Sequence, residues 1–300
     1  MLTQTPVVSH RQPKRNDLLQ PFLKWAGGKR QLLPYIRKYR PNLAKDKAYY
    51  EPFVGAGAVL FDLQPPKAFI NDVNSELINC YQVIRDDVEA LIEDIKEYGT
   101  KNSSEYFYQI RELDRSPAYK DLSPVQRASR IIFLNKTCFN GLFRVNSQGQ
   151  FNVPYGNYKN PTLIDEIVIR AICNYLQQSD ITITQLDFAE AVKAAKKGDF
   201  IYFDPPYDPV SDTASFTGYN LDKFDREEQI RLKTVYDKLH TKGCKVMLSN
   251  SSTDFIRDLY KDKGYKIITI PANRNINSVG TGRGQINEFL ILNYEPDSEK

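Results

Sequence analysis

Seven short runs of apolar, β-prone residues punctuate the chain, at 48–51, 68–71, 181–186, 200–203, 245–248, 265–270 and 288–294. Each is short and rich in branched or aromatic side chains, which reads as a buried strand. Between several of them apolar positions recur at helical spacing, at 75–84, 87–98, 123–134, 164–176, 188–195, 225–239 and 253–261. Such alternation predicts an α/β fold, a mainly parallel Rossmann-like sheet with helices on both faces. The last two runs are joined by a polar loop without helical spacing, so they should pair antiparallel. The region 99–161 breaks the pattern. It is polar, aromatic and turn-rich, and Asn146-Ser-Gln-Gly149 resembles a hairpin turn. The expected organisation is a disordered basic arm (1–16), a discontinuous main domain (17–98 and 165–296) and an inserted, mainly helical domain with a β-hairpin (99–164).

Composition narrows the classes. Three hundred residues, 41% of them hydrophobic, can bury a sizeable core. No apolar run approaches the roughly 18 residues of a membrane helix, so no membrane partner is expected. The first 16 residues lack an apolar signal core, which points to a cytoplasmic protein. Cys80, Cys138, Cys173 and Cys244 are scattered without ligand-like spacing and read as reduced thiols. With only His10 and His240 beside them, no metal site is expected.

Charge adds a stronger signal than the net value of +4. Residues 1–45 hold ten Lys or Arg against one acid, Asp17. No acid occurs from Leu122 to Ile164, which holds Arg127, Arg130, Lys136, Arg144 and Lys159, nor from Lys263 to Asn287, which holds Lys263, Lys266, Arg274 and Arg283. If these stretches converge, they form one positive face suited to a phosphate backbone.

Two motifs carry chemistry. In Glu51-Pro-Phe-Val-Gly-Ala-Gly57 two glycines follow a strand, and Asp72 ends the next strand, where a carboxylate can bind ribose hydroxyls. A dinucleotide site wants a third glycine, but Leu60 stands there. S-adenosyl-L-methionine has no pyrophosphate and does not need it. Lys24-Trp-Ala-Gly-Gly-Lys29 fails as a phosphate loop because Arg30 replaces the required Ser or Thr. Its glycines instead permit close approach, with Trp25 or Lys29 touching cofactor or DNA. The second motif is Asp204-Pro-Pro-Tyr207, directly after the apolar run 200–203. If Asp204 and the Pro205 carbonyl accept the two hydrogens of an exocyclic amine, its lone pair is freed to attack a methyl donor. Tyr207 would stack on a base extruded from the duplex.

Together these segments resemble the Dam-type (D12 class) DNA adenine-N6 methyltransferases, across roughly residues 20–295. The likeness rests on Phe22-Leu-Lys-Trp-Ala-Gly-Gly-Lys29, the glycine motif, Asn71-Asp-Val-Asn-Ser75, Phe139-Asn-Gly-Leu-Phe-Arg144, Phe151-Asn-Val-Pro-Tyr-Gly156 and Asp204-Pro-Pro-Tyr207. The resemblance implies that Trp25, Lys29, Phe53, Gly55, Gly57, Asp72 and Asp204 line the S-adenosyl-L-methionine site. It also implies that Asp187 and Phe188 hold the cofactor's adenine, and that the target is adenine in double-stranded GATC. Phe139 stands where the family often has Tyr; stacking survives that change.

The insertion supplies candidate DNA contacts. Phe139 and Asn140 could wedge into the gap left by a flipped base, and Leu142 and Pro154 could meet a thymine methyl. Phe139 and Leu142 fit a core equally well. Arg144 can grip a guanine edge or hold a phosphate. By resemblance, Lys24 faces a guanine and Tyr158 lies at the DNA. A loop at 211–220 is expected to close over the flipped base. Other acceptors stay open at this point: cytosine N4, RNA or a protein amide. A nuclease acting on the same DNA site, without direct contact, is a further possible partner.

Overall fold

The computed structural model describes residues 15–25, 27–209, 224–273 and 285–296. Most of the basic arm, the 211–220 stretch, Arg274 and Arg283 lie outside the described residues. In chain order the elements are α1 (Leu33–Tyr39), β1 (Tyr49–Glu51), α2 (Ala58–Leu63), β2 (Lys67–Asn71), α3 (Ser75–Asp86), α4 (Val88–Thr100), α5 (Ser104–Glu112), α6 (Pro124–Thr137), α7 (Glu166–Gln178), β3 (Asp180–Thr184), α8 (Phe188–Ala191), β4 (Phe200–Phe203), α9 (Arg226–Thr241), β5 (Lys245–Ser251), α10 (Asp254–Tyr260), β6 (Lys266–Asn273) and β7 (Gln285–Leu292).

The seven strands form one sheet in the order β3-β2-β1-β4-β5-β7-β6. β1 to β5 run parallel, and β7 pairs antiparallel with both β5 and β6. The antiparallel pairing of β6 with β7 is the one expected for the last two apolar runs. Strands buried on both faces send alternate side chains into two cores. Phe200 and Tyr202 of β4 face one, with Tyr49, Ile70 and Met247, while Ile201 and Phe203 face the other, with Tyr50, Val246 and Leu248.

The 99–164 segment has no core of its own. Phe107, Ile131, Phe133, Phe151 and Val153 belong to the same buried cluster as Tyr49 and Val54. Within the segment α6 opens with a capping box, Ser123 and Gln126 satisfying each other's backbone N–H. The turn read at 146–149 closes a hairpin. The Gly149 N–H donates to the Asn146 carbonyl at 2.9 Å, and Val145 pairs with Phe151. All four cysteines are free and buried.

Candidate active site

The glycine turn links β1 to α2. Gly55 and Gly57 have φ of +50° and +80°, a region that side chains avoid. Space excludes side chains as well. A Cβ on Gly57 would lie 2.6 Å from the Phe61 ring and from the Tyr81 hydroxyl, and one on Gly55 would lie 3.0 Å from Trp25. Asp72, just past β2, accepts the Gly55 N–H at 3.0 Å through Oδ2 and the Asn74 N–H at 3.0 Å through Oδ1. The carboxylate is therefore fixed against the turn.

Beside the turn lies a cleft walled by Pro52, Phe53, Val73, Leu186, Phe188 and Phe224, with Asp187 and Arg231 at its edge. Buried Asn71 holds its two walls together, donating to the carbonyls of Pro52 (3.1 Å) and Leu186 (2.9 Å). Asp187 caps α8 by accepting the Ala189 N–H at 2.9 Å. It also takes a two-pronged grip from Arg231 of α9, at 2.9 and 2.6 Å. That guanidinium lies 4.0 Å over the Phe188 ring and holds the Asp187 carboxyl below the usual carboxylate range.

Asp204 follows β4 without a break. Lys29 Nζ lies 2.7 Å from Asp204 Oδ1, donates to the Gly27 carbonyl at 2.6 Å and sits 4.7 Å over the Tyr207 ring. Ser249 Oγ donates to the same Asp204 oxygen at 2.9 Å. Burial pushes the Asp204 carboxyl above the ordinary range, opposed by the Lys29 charge and hydrogen bond and then by Ser249. Beyond Asp204 the turn is pinned by a buried polar network. Gln229 donates to the Pro206 carbonyl at 2.8 Å and accepts from Asn250 at 3.0 Å. The Asn250 side-chain Oδ1 accepts the Asp208 N–H at 3.1 Å. Tyr207 donates its hydroxyl proton to Glu288 of β7 at 2.9 Å. With proline φ fixed as well, the turn has little freedom left.

The other candidates gather around the 139–158 region. Phe139 is 53% exposed, and its N–H donates to the Pro154 carbonyl at 2.8 Å. Asn140 is exposed at φ +56°. Leu142 is half-buried against the main core. Lys24 lies 5.3 Å from the Tyr158 ring, and its side chain fills the space that a Cβ on Gly141 would need. Arg144 is held across the hairpin by Asn152, Nε donating to Oδ1 at 2.6 Å and Nη2 to the backbone carbonyl at 3.2 Å. Trp25 stacks on Phe143 at 4.9 Å, joining the cofactor-side motif to this region.

The D12 class N6 adenine-specific DNA methyltransferase family matches residues 25–276, most of the chain. The chain belongs to that family. It is 48% identical over 276 residues to the type II methyltransferase M1.LlaDCHI of Lactococcus lactis subsp. cremoris, covering 92% of this chain and 96% of the relative. It is 42% identical over 292 residues to the type II methyltransferase M.MjaIII of Methanocaldococcus jannaschii, covering 92% and 99%. It is 32% identical over 278 residues to the DNA adenine methylase of Escherichia coli strain K12, covering 92% and 95%.

In this D12 class methyltransferase two expectations need correction. The basic stretches do not all serve one face. Arg127 pairs with Glu76, and Arg130, 1% exposed, pairs with Asp114 at 2.8 Å and donates to the Ile110 carbonyl. Lys263 pairs with Asp237 and Lys266 with Glu295. Acids distant in sequence meet these cations in space, which a count along the chain does not register. The helix expected at 188–195 also ends early, at Ala191. Sequence reasoning missed Arg231, Gln229 and Ser249. Only the last left a trace: Ser249, Asn250 and Ser251 are polar yet buried at the end of β5.

Proposed function

We propose that this methyltransferase transfers a methyl group from S-adenosyl-L-methionine to N6 of an adenine flipped out of double-stranded DNA, within GATC. One observation carries the reading. Lys29 and Ser249 both engage Asp204 Oδ1, while Gln229 occupies the Pro206 carbonyl. Asp204 Oδ2 and the Pro205 carbonyl are then a rigid pair of acceptors for the two hydrogens of one amine.

The residues fit the cofactor. Two glycines at positive φ shape the turn, Asp72 is anchored against it, and an apolar cleft lined also by Asp187 suits an adenine and its amino group. Trp25, Lys29, Phe53, Gly55, Gly57, Asp72, Asp187 and Phe188 would hold it. When bound, it supplies an electrophilic sulfonium methyl. This chain's own part is orientation and charge. Asp204 and the Pro205 carbonyl draw the amine hydrogens aside so that its lone pair points away from the ring. Ionised Asp204 then stabilises the positive charge growing on nitrogen and stands ready to take its proton. Tyr207, its ring clamped by Glu288 and Lys29, offers the stacking face.

The 99–164 segment is read as the recognition region. Phe139 and Asn140 fill the space left by the base, Leu142 and Pro154 meet thymine, Lys24 and Arg144 read guanine, and Tyr158 lies on the DNA. The likeness to relatives named type II methyltransferases also suits a nuclease partner acting on the same site. Incubation with S-adenosyl-L-methionine and unmethylated plasmid, followed by single-molecule sequencing, tests all of this. N6-methyladenine confined to GATC is expected. The same base in another sequence would overturn the recognition reading, and its complete absence would overturn the reaction. Arg144→Ala should cost about tenfold or more in discrimination at one guanine; a uniform loss across sequences would make it a phosphate contact.

A further inference from the structure

β4 and β5 run parallel with Phe203 opposite Leu248, so Asp204 and Ser249 are the next residues along each strand. Ser249 is 0% exposed, and so is Tyr202, whose hydroxyl lies 2.9 Å from Ser249 Oγ. Distance alone allows either hydroxyl to donate. Chemistry removes the choice. An ionised carboxylate only accepts, and serine has one hydrogen, so Ser249 gives that hydrogen to Asp204. Tyr202 must then donate to Ser249. The result is a directional chain, Tyr202 O–H to Ser249 O–H to Asp204 Oδ1, whose direction is fixed when Asp204 carries its charge.

We propose that Ser249, backed by Tyr202, is a positioning residue that holds Asp204 ionised and keeps Oδ2 turned toward the substrate amine. Lys29 alone could supply a charge, but a flexible ammonium with several hydrogens does not fix which oxygen it holds. A second donor on the same oxygen, from a strand fully inside the sheet, does. Protonation of Asp204 would remove the reason for the chain to point one way, so orientation and charge of this carboxylate rise and fall together. The inference deepens the proposed reaction and rests on Asp204 acting in it.

Other groups act on the same carboxyl. Lys29 from the N-terminal segment lowers its proton affinity, and the carboxyl of Glu51 on β1, raised first by its own burial, is raised further by the Asp204 charge. Tyr202 on β4 and Tyr207 beyond it also feel the Asp204 charge, and Glu288 on β7 lies behind Tyr207. Ser249→Ala leaves all of these in place and removes one donor to the charged form. The Asp204 carboxyl should rise by on the order of one pH unit, the effect of losing a hydrogen bond to a charged group.

Two measurements decide it. The first is the single-turnover methylation rate against pH at saturating S-adenosyl-L-methionine, for wild type, Ser249→Ala, Ser249→Thr and Tyr202→Phe. The active form is the ionised one, so rate is lost as pH falls. The acid limb should move to higher pH in Ser249→Ala, move less in Tyr202→Phe, and return in Ser249→Thr. The second is the carbon-13 NMR titration of the Asp204 carboxyl in the same proteins, assigned through Asp204→Asn, which needs no turnover. A lowered rate with an unmoved acid limb and an unmoved Asp204 titration would make Ser249 merely structural and overturn the inference. A wild type that makes no N6-methyladenine would overturn the proposed reaction instead, while the NMR titration still judges the Ser249–Asp204 link.

Discussion

Asp204 and Asp187 are both proposed to accept the amino group of an adenine, one on the substrate and one on the cofactor, yet their surroundings are opposite. The Asp204 side chain is 18% exposed, shares a lysine and a serine on one oxygen, and has its proton affinity raised by burial. The Asp187 side chain is 44% exposed, is gripped by both prongs of Arg231, and has its proton affinity lowered. An exposed, paired carboxylate stays charged across the physiological range and serves as a fixed acceptor. A buried one costs more to ionise, but its charge acts undiluted by water on whatever forms beside it. Holding and reacting therefore call for different environments around the same functional group.

The comparison breaks first at Asp204. Asp204→Ala should lower the single-turnover rate by about a thousandfold or more, while binding of the demethylated cofactor product stays measurable by calorimetry. Turnover close to wild type would remove Asp204 from the chemistry. Next, Lys29→Met should move the acid limb upward by about 1–3 pH units. Asp204 is raised by burial, and its largest opposing influence would be gone. The sign follows: the active ionised form is lost as pH falls through that raised value, so the variant loses activity at a pH where wild type still works. Asp187→Ala should weaken cofactor affinity about tenfold and leave the acid limb where it was; a shift of the limb would mean the two sites are not separate. Smallest of all is Arg231→Ala. Exposed ion pairs contribute about 0–1 kcal/mol, so the melting temperature at neutral pH should barely change. The contribution from Asp187 is present above the ordinary carboxylate range and fades only as pH falls through its lowered value.

Much of this arrangement was legible in the sequence. All seven strands, the antiparallel final pair and the 146–149 turn follow from periodicity and turn chemistry. Trp25 and Asp72 lie against the glycine turn at Gly55, and Lys29 ties Asp204 to Tyr207. Less legible were interactions between elements far apart in the chain. Arg231 lies on a helix whose local pairing with Glu228 gives no hint of Asp187. The apolar run read as β5 ends at Leu248, and the next three residues are polar. They extend the strand because each is hydrogen-bonded inside the sheet, Ser249 to Asp204, Asn250 to Gln229 and Ser251 to the Asp208 carbonyl. Polar residues inside a buried strand marked the site's supports, and hydrophobic patterning alone cannot see them.

Asn135, in the last turns of α6, is fully buried, and its amide makes three hydrogen bonds to main-chain groups. It accepts the Lys24 N–H at 2.9 Å and donates to the carbonyls of Lys24 (2.8 Å) and Gly141 (3.0 Å). One planar group thus rivets two backbones: the segment leading to Lys29 and the turn that carries Phe139 and Arg144. Aspartate would bring no hydrogens to those carbonyls, and leucine would leave three main-chain groups stranded in a dry interior. The part of the molecule that would read sequence and the part that would steady the reacting carboxylate share a single mechanical joint, so neither can be displaced without dragging on the other.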